Sequence, residues 1–190
     1  MAQRKRRSTE ELKKASALLY YEIQMWILAK YALERNLSKG LRNVWLEGFL
    51  IHTRNLIDFL FLSNYDAPLH KDDIIAEDFF VQSGLQWKCN EPLQEFDRRR
   101  IHKRVAHLTY ARLKLDEFSK EWEVQSIFND IRRLLDQFIA QASPILLDEK
   151  LYELANAEEM AKEFAAQLRP LRGHELSKLD PNTTGIIGFE

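Results

Sequence analysis

Leu12, Ala15, Leu19, Ile23, Trp26 and Leu33 recur three and four residues apart, which brings them to one side of a helix. Ser8 and Glu11 stand just ahead at the spacing of a capping box, so a first helix is expected from about Thr9 to Asn36. Ser38 and Gly40 interrupt the pattern, and a second helix is expected from about Leu41 to Leu62. This segment is apolar almost all round, as a central bundle helix would be.

Between residues 63 and 90 the periodicity breaks at Asn64, Pro68 and Gly84, although KDDIIAEDFF can form a short helix. Asn90 and Pro92 suit the start of a third helix reaching about Phe118. A fourth is expected from about Trp122 to Ala142, with Ile127, Ile131, Leu134, Leu135 and Phe138 on its core side. Past Pro144, Asn156 and Glu159 offer another cap, for a helix ending near Leu168. The expected fold is all-α: a bundle of four main helices with an additional C-terminal helix, one domain over 1–170, and an extended tail over 171–190.

Composition sharpens this picture. The chain has 190 residues, of which 45% are hydrophobic and 30% charged, enough for one substantial core. Only 6 Gly and 5 Pro are present, too few for the repeated turns of a sandwich or barrel. One cysteine, Cys89, cannot close an internal disulfide and leaves a zinc site short of thiolates, so a reducing, cytoplasmic setting is expected. The basic N-terminus lacks the apolar stretch and cleavage site of a signal peptide. The apolar run in the second helix is broken by Glu47, His52, Arg54 and Asp58, which argues against a membrane span.

The formal net charge of −1 gives no global attraction to nucleic acid, but the charge is uneven along the chain. Residues 98–114 carry seven Lys/Arg and no Asp/Glu, whereas 66–78 carry five acids and one Lys. On a helix, Arg100 and His107 fall within about 20° of each other, with Arg104 nearby and Lys103 and Lys114 flanking. Ile101, Val105, Leu108 and Leu115 gather on the core side. Neighbouring cations disfavour a charged imidazole, and a neutral imidazole beside guanidinium groups suits phosphodiester cleavage. The same face also fits a solvated surface, or an RNA- or protein-binding face without catalysis.

Glu47, Arg54 and Asp58 form a charged stripe on the second helix, where Arg54 and Asp58 can pair directly. Arg112, on the apolar side of the third helix, wants a carboxylate such as Glu47 or Asp58. This set fits an ion-pair cluster or, with Thr109, a polar wall beside the basic face. His52 stands opposite the stripe and reads as a hydrogen-bonded core histidine. Trp26, Tyr31, Trp45 and Trp122 read as core. Asp72, Asp73, Glu77 and Asp78 could hold a hard cation but lack the spaced ligands and glycine of a calcium loop. No metal site and no cofactor is assigned.

An all-helical chain carrying Arg100-x6-His107 on a later helix resembles the HEPN superfamily (higher eukaryotes and prokaryotes nucleotide-binding), over roughly residues 9–142. Many members are metal-independent ribonucleases of toxin–antitoxin, defence and RNA-processing systems, and they commonly act as dimers. The resemblance implies RNA as partner, a homodimer, Arg100 stabilising the transition state and His107 transferring protons. It also likens Glu47 to an acidic residue that some members place on an earlier helix. LIHTRNLIDFL and VAHLTYARL further resemble uncharacterised bacterial all-helical proteins, which implies no activity. The alternative reading is a non-catalytic helical interaction protein with structural ion pairs and a protein partner.

Overall fold

The computed structural model describes residues 6–61, 70–81, 84–87, 101, 105 and 122–168. Among them stand four α-helices and no strand: α1 (Thr9–Leu33), α2 (Lys39–Phe61), α3 (Val124–Gln141) and α4 (Leu154–Gln167). Short 3-10 turns cover Ala76–Phe79, Pro144–Leu146 and Glu149–Glu153. The all-α reading holds. The expected third helix falls outside the described residues except for Ile101, which is helical and fully buried, and Val105, which packs on the core. The tail lies outside them too.

α1 begins where the sequence placed it. Ser8 Oγ accepts from the backbone N–H of Glu11 at 3.1 Å, and Glu11 Oε2 accepts from that of Ser8 at 2.7 Å. Two of the helix's orphan donors are thereby satisfied. The helix ends at Leu33, three residues early, and α2 starts at Lys39, two residues early. Arg42 Nη1 donates to the Leu33 carbonyl at 3.0 Å, satisfying an end of α1 from the next helix.

Among the described residues α1 is the hub: it packs on α2, α3, α4 and the 3-10 turns around Pro144–Leu146 and Glu149–Glu153. Counting apolar residues overstated the burial of α2, whose outer face leaves Val44 64% and Ile51 45% exposed. Conversely, Ala29 and Ala32 are buried, and their small side chains let neighbouring elements approach α1 closely.

Trp26 ties three helices together. Its ring stacks on Phe49 of α2 at 5.9 Å and on Phe128 of α3 at 4.4 Å. Its Nε1 donates to Thr53 Oγ1 at 3.0 Å, so neither buried polar group is left without a partner. A second aromatic centre forms on α3. Phe138 meets Phe59, Phe79, Phe80 and Trp87 edge-on, with centroids 4.9 to 5.9 Å apart. Trp87 Nε1 donates to the Leu60 carbonyl at 2.9 Å. These contacts hold the 76–87 segment to the bundle. Gly84 adopts φ 68° there, a conformation that side chains resist.

The C-terminal helix starts at Leu154 rather than at an Asn156 cap. The 3-10 turn before it runs straight into α4, and the cap sits at the head of that turn. Asp148 Oδ1 accepts from the Lys150 N–H at 3.0 Å, and the Asp148 N–H donates to Ser16 Oγ at 2.7 Å. α4 buries Leu154, Ala157, Ala161 and Ala165, a stripe of mostly alanine against α1.

Candidate functional site

Arg100, Lys103, Arg104, His107, Thr109, Arg112 and Lys114 lie outside the described residues, so the basic face is read from its flanks. Ile101 belongs to the hydrophobic core at 0% exposure, beside the partly buried Val105. The core-facing half of the pattern is therefore engaged at these two positions.

On α2 the charged stripe divides. Arg54 and Asp58 come together, with Nε 3.6 Å from Oδ2. Glu47, two turns earlier, is exposed. Arg54 Nε is buried and makes no hydrogen bond, because 3.6 Å is too long for one. Its guanidinium is thus only partly satisfied by its own helix.

The acidic segment leans on the start of α1. Arg7 donates to the Lys71 carbonyl, and Arg7, Glu11, Asp72, Asp73 and Asp78 border a small recess of 170 Å³. Asp73 Oδ2 accepts from the His70 N–H at 2.7 Å, so this carboxylate is occupied in shaping the turn. Among the described residues no group of three or more His, Cys, Asp or Glu is placed to hold a metal ion. None of the described helices is long and apolar enough to cross a membrane.

No protein-family model, curated protein or solved structure matches the chain.

Two polar clusters went unseen in the sequence. The first joins α1 to α2. His52 Nδ1 lies 2.7 Å from Glu22 Oε2, and Asn55 Nδ2 donates to the same oxygen at 2.9 Å. The ring of Tyr21 meets His52 edge-on at 6.2 Å. Burial pushes the Glu22 carboxyl upward, but the hydrogen bonds from His52 and Asn55, with the charge of His52, outweigh it. The group is held below the ordinary carboxylate range. His52 is indeed hydrogen-bonded, as expected of it, but its partner stands thirty residues away on the neighbouring helix. A carboxylate on Nδ1 fixes the ring's orientation and tautomer, the arrangement that also supports acid–base histidines. At the seam of two helices it serves to set their register.

The second cluster closes the C-terminal end of α1. Lys30 is buried, with Nζ 2.7 Å from Glu34 Oε1 and over the rings of Tyr31 at 4.0 Å and Phe128 at 5.0 Å. Arg132 of α3 pairs with Glu158 of α4 and, through Nε, with Asp136 at 3.0 Å. Tyr31 donates to Glu158 at 3.3 Å. Burial first, then Glu34 and Glu159 against an opposing Arg132, raises the Tyr31 hydroxyl above its ordinary value. Each of these charges has a protein partner, which describes a helix-to-helix clasp rather than a ligand site.

Proposed function

We propose that the chain is a HEPN-like RNA-binding protein. Its 98–114 run would contact the phosphates, and Arg100 and His107 would suit metal-independent cleavage of the toxin or defence type. The observation that carries this reading is the burial of Ile101 near the head of the basic run. A residue fixed in the core there commits one side of the segment inward. By helical spacing Arg100, Arg104 and His107 would then fall about 60° to 120° round the helix from it, sharing one flank. Seven cations without an acid give the 98–114 segment a local attraction for phosphate that the net charge of −1 does not give the whole chain. In cleavage, His107 would take the proton of a ribose 2′-hydroxyl as its oxygen attacks the adjacent phosphorus, and return it to the 5′-oxygen as the P–O5′ bond breaks, leaving a 2′,3′-cyclic phosphate. Arg100 would stabilise the charge building on the phosphoryl oxygens.

The test is incubation of the pure protein with mixed RNA and a chelator, alongside His107→Ala and Arg100→Ala. The expected result is cleavage by the wild type and none by either variant, with His107→Ala still binding RNA. An inactive wild type, or variants as active as the wild type, defeats the nuclease claim. Binding is read separately, against salt: affinity should fall steeply, with a log–log slope of about −0.7 per phosphate contacted for single strands. Absent or salt-independent binding defeats the RNA reading altogether.

A second reading, a non-catalytic helical interaction protein, is favoured by the Arg54–Asp58 pair. These charges meet along one helix, with Nε 3.6 Å from Oδ2. On that reading Arg54→Ala changes stability and leaves RNA untouched.

A further inference from the structure

Leu18, Tyr21 and Met25 follow one another three and four residues apart on the outer side of α1, within about 60° of arc. Val44, Gly48 and Ile51 form a matching row on α2, four and three apart, again within about 60°. Leu18, Tyr21, Val44 and Ile51 are exposed, Leu18 to 60% and Tyr21 to 52%, and Met25 and Gly48 are half-buried. The rows border the same seam, because Tyr21 meets the His52 ring and Glu22 bonds His52 and Asn55. A Cβ on Gly48 would meet nothing within 4 Å, so the α2 backbone is open there to close approach. Two such rows on neighbouring helices make the groove into which a third helix packs.

Between the rows sits a polar group that the fold only half answers. Glu22 Oε2 takes both hydrogen bonds, from His52 and from Asn55. Among the described residues nothing bonds Glu22 Oε1 or His52 Nε2, and neither atom is closed off from the surface. The Glu22 carboxyl is held below its ordinary range, so it is ionised at neutral pH. With Nδ1–H donating to that carboxylate, a neutral imidazole presents a lone pair at Nε2. The groove therefore offers two acceptors and a negative charge, with the Tyr21 ring alongside. A guanidinium answers all three: it has forked donors, a fixed positive charge and a planar face that lies on aromatic rings. An acidic or purely apolar side chain would leave both acceptors unanswered.

We propose that the α1–α2 groove docks an amphipathic helix of a partner protein that carries one arginine within its apolar seam. The apolar side chains of that helix pack on Leu18, Met25, Val44 and Ile51, and its backbone comes close at Gly48. Its arginine donates to Glu22 Oε1 and His52 Nε2 and lies against Tyr21. Apolar contact supplies most of the affinity, as in other helix-in-groove complexes. The cation sets the register, because a helix slid by one turn would bury its charge among apolar side chains. The inference goes beyond RNA binding, and either can fail without the other.

Selection on the full chain from a displayed library of helical peptides, about three heptads long and randomised along one face, tests it. Bound sequences should share apolar residues three and four apart with a single arginine among them. A synthetic peptide of the selected sequence should bind Glu22→Gln at least about tenfold more weakly than the wild type, since a charged hydrogen bond is lost. With its arginine replaced by leucine, the peptide should bind the wild type as weakly and no longer distinguish it from Glu22→Gln. If Glu22→Gln weakens the leucine peptide as well, the carboxylate acts only by holding the two helices together, and the proposal is overturned. Ile51→Asp should keep its helical circular dichroism and bind neither peptide, and Val44→Asp repeats that reading at the end of the groove. A selection without binders overturns the proposal, as do binders without a cation and binding that survives both aspartates. So does a second copy of the chain filling this groove, seen in sedimentation as a dimer that Ile51→Asp dissolves.

Discussion

At the scale of single residues, the structure rests on a few side chains that satisfy polarity and packing together. Trp26 is fully buried, stacked on two rings and hydrogen-bonded to Thr53, so removing it opens a cavity and strands a hydroxyl. Trp26→Ala should cost about 3–5 kcal/mol in urea unfolding, and Thr53→Val about 1 kcal/mol. Glu22 makes a different prediction, because its carboxyl lies below the ordinary 4.5 in the fold. The unfolded chain takes up that proton first as pH falls. Its stabilising contribution is therefore complete above 4.5 and is lost as pH drops through the lower folded value. Comparing urea midpoints of the wild type and Glu22→Gln from neutral into acid checks this. The gap between them should close on the acid side, and a constant gap would show that proton linkage at Glu22 is absent. None of this pairing was legible in the sequence. Arg54 and Asp58 were, because helix geometry alone sets residues four apart side by side. Glu22 and His52 meet only through the register of two antiparallel helices, which no local spacing encodes.

The described helices were largely legible, α1 and α3 from a clear apolar period and α2 from a segment apolar almost all round. α3 shows this most directly: all five expected core positions are buried, and Phe128 joins them. Ends were less legible, since they depend on what satisfies the last backbone groups. The capping box of α1 is local and was visible; its loss in Ser8→Ala should cost about 1 kcal/mol by thermal or chemical unfolding. The start of α4 was misplaced because its cap lies upstream, on Asp148, and is shared with Ser16 of α1. Lys30 illustrates the same limit inside a helix. Its position between Trp26 and Leu33 put it on the buried stripe, but the rings of Tyr31 and Phe128 that shelter its ammonium come partly from α3. Sequence periodicity gives the direction in which a residue points; the partner waiting there is set by how elements dock.

At the scale of the described bundle, docking around α1 holds the other helices together. α4 meets α1 through Ala157, Ala161 and Ala165, which bury little area apiece but permit close approach. Its hold is completed at the edges. Glu158 accepts from Tyr31 and pairs with Arg132, and Phe164 meets Trp45 edge-on at 6.4 Å. A bulky residue in the middle of that stripe should push the helix outward and disturb both edges at once. Ala161→Leu is expected to destabilise the protein by about 1–3 kcal/mol through overpacking, although it adds apolar surface. Urea unfolding followed by circular dichroism measures the cost, and hydrogen exchange locates it: protection should fall first along α4. If Ala161→Leu instead stabilised the protein, area rather than close approach would be what binds α4 to the hub. The hub arrangement would then owe less to the small residues of α1 and α4 than their burial implies.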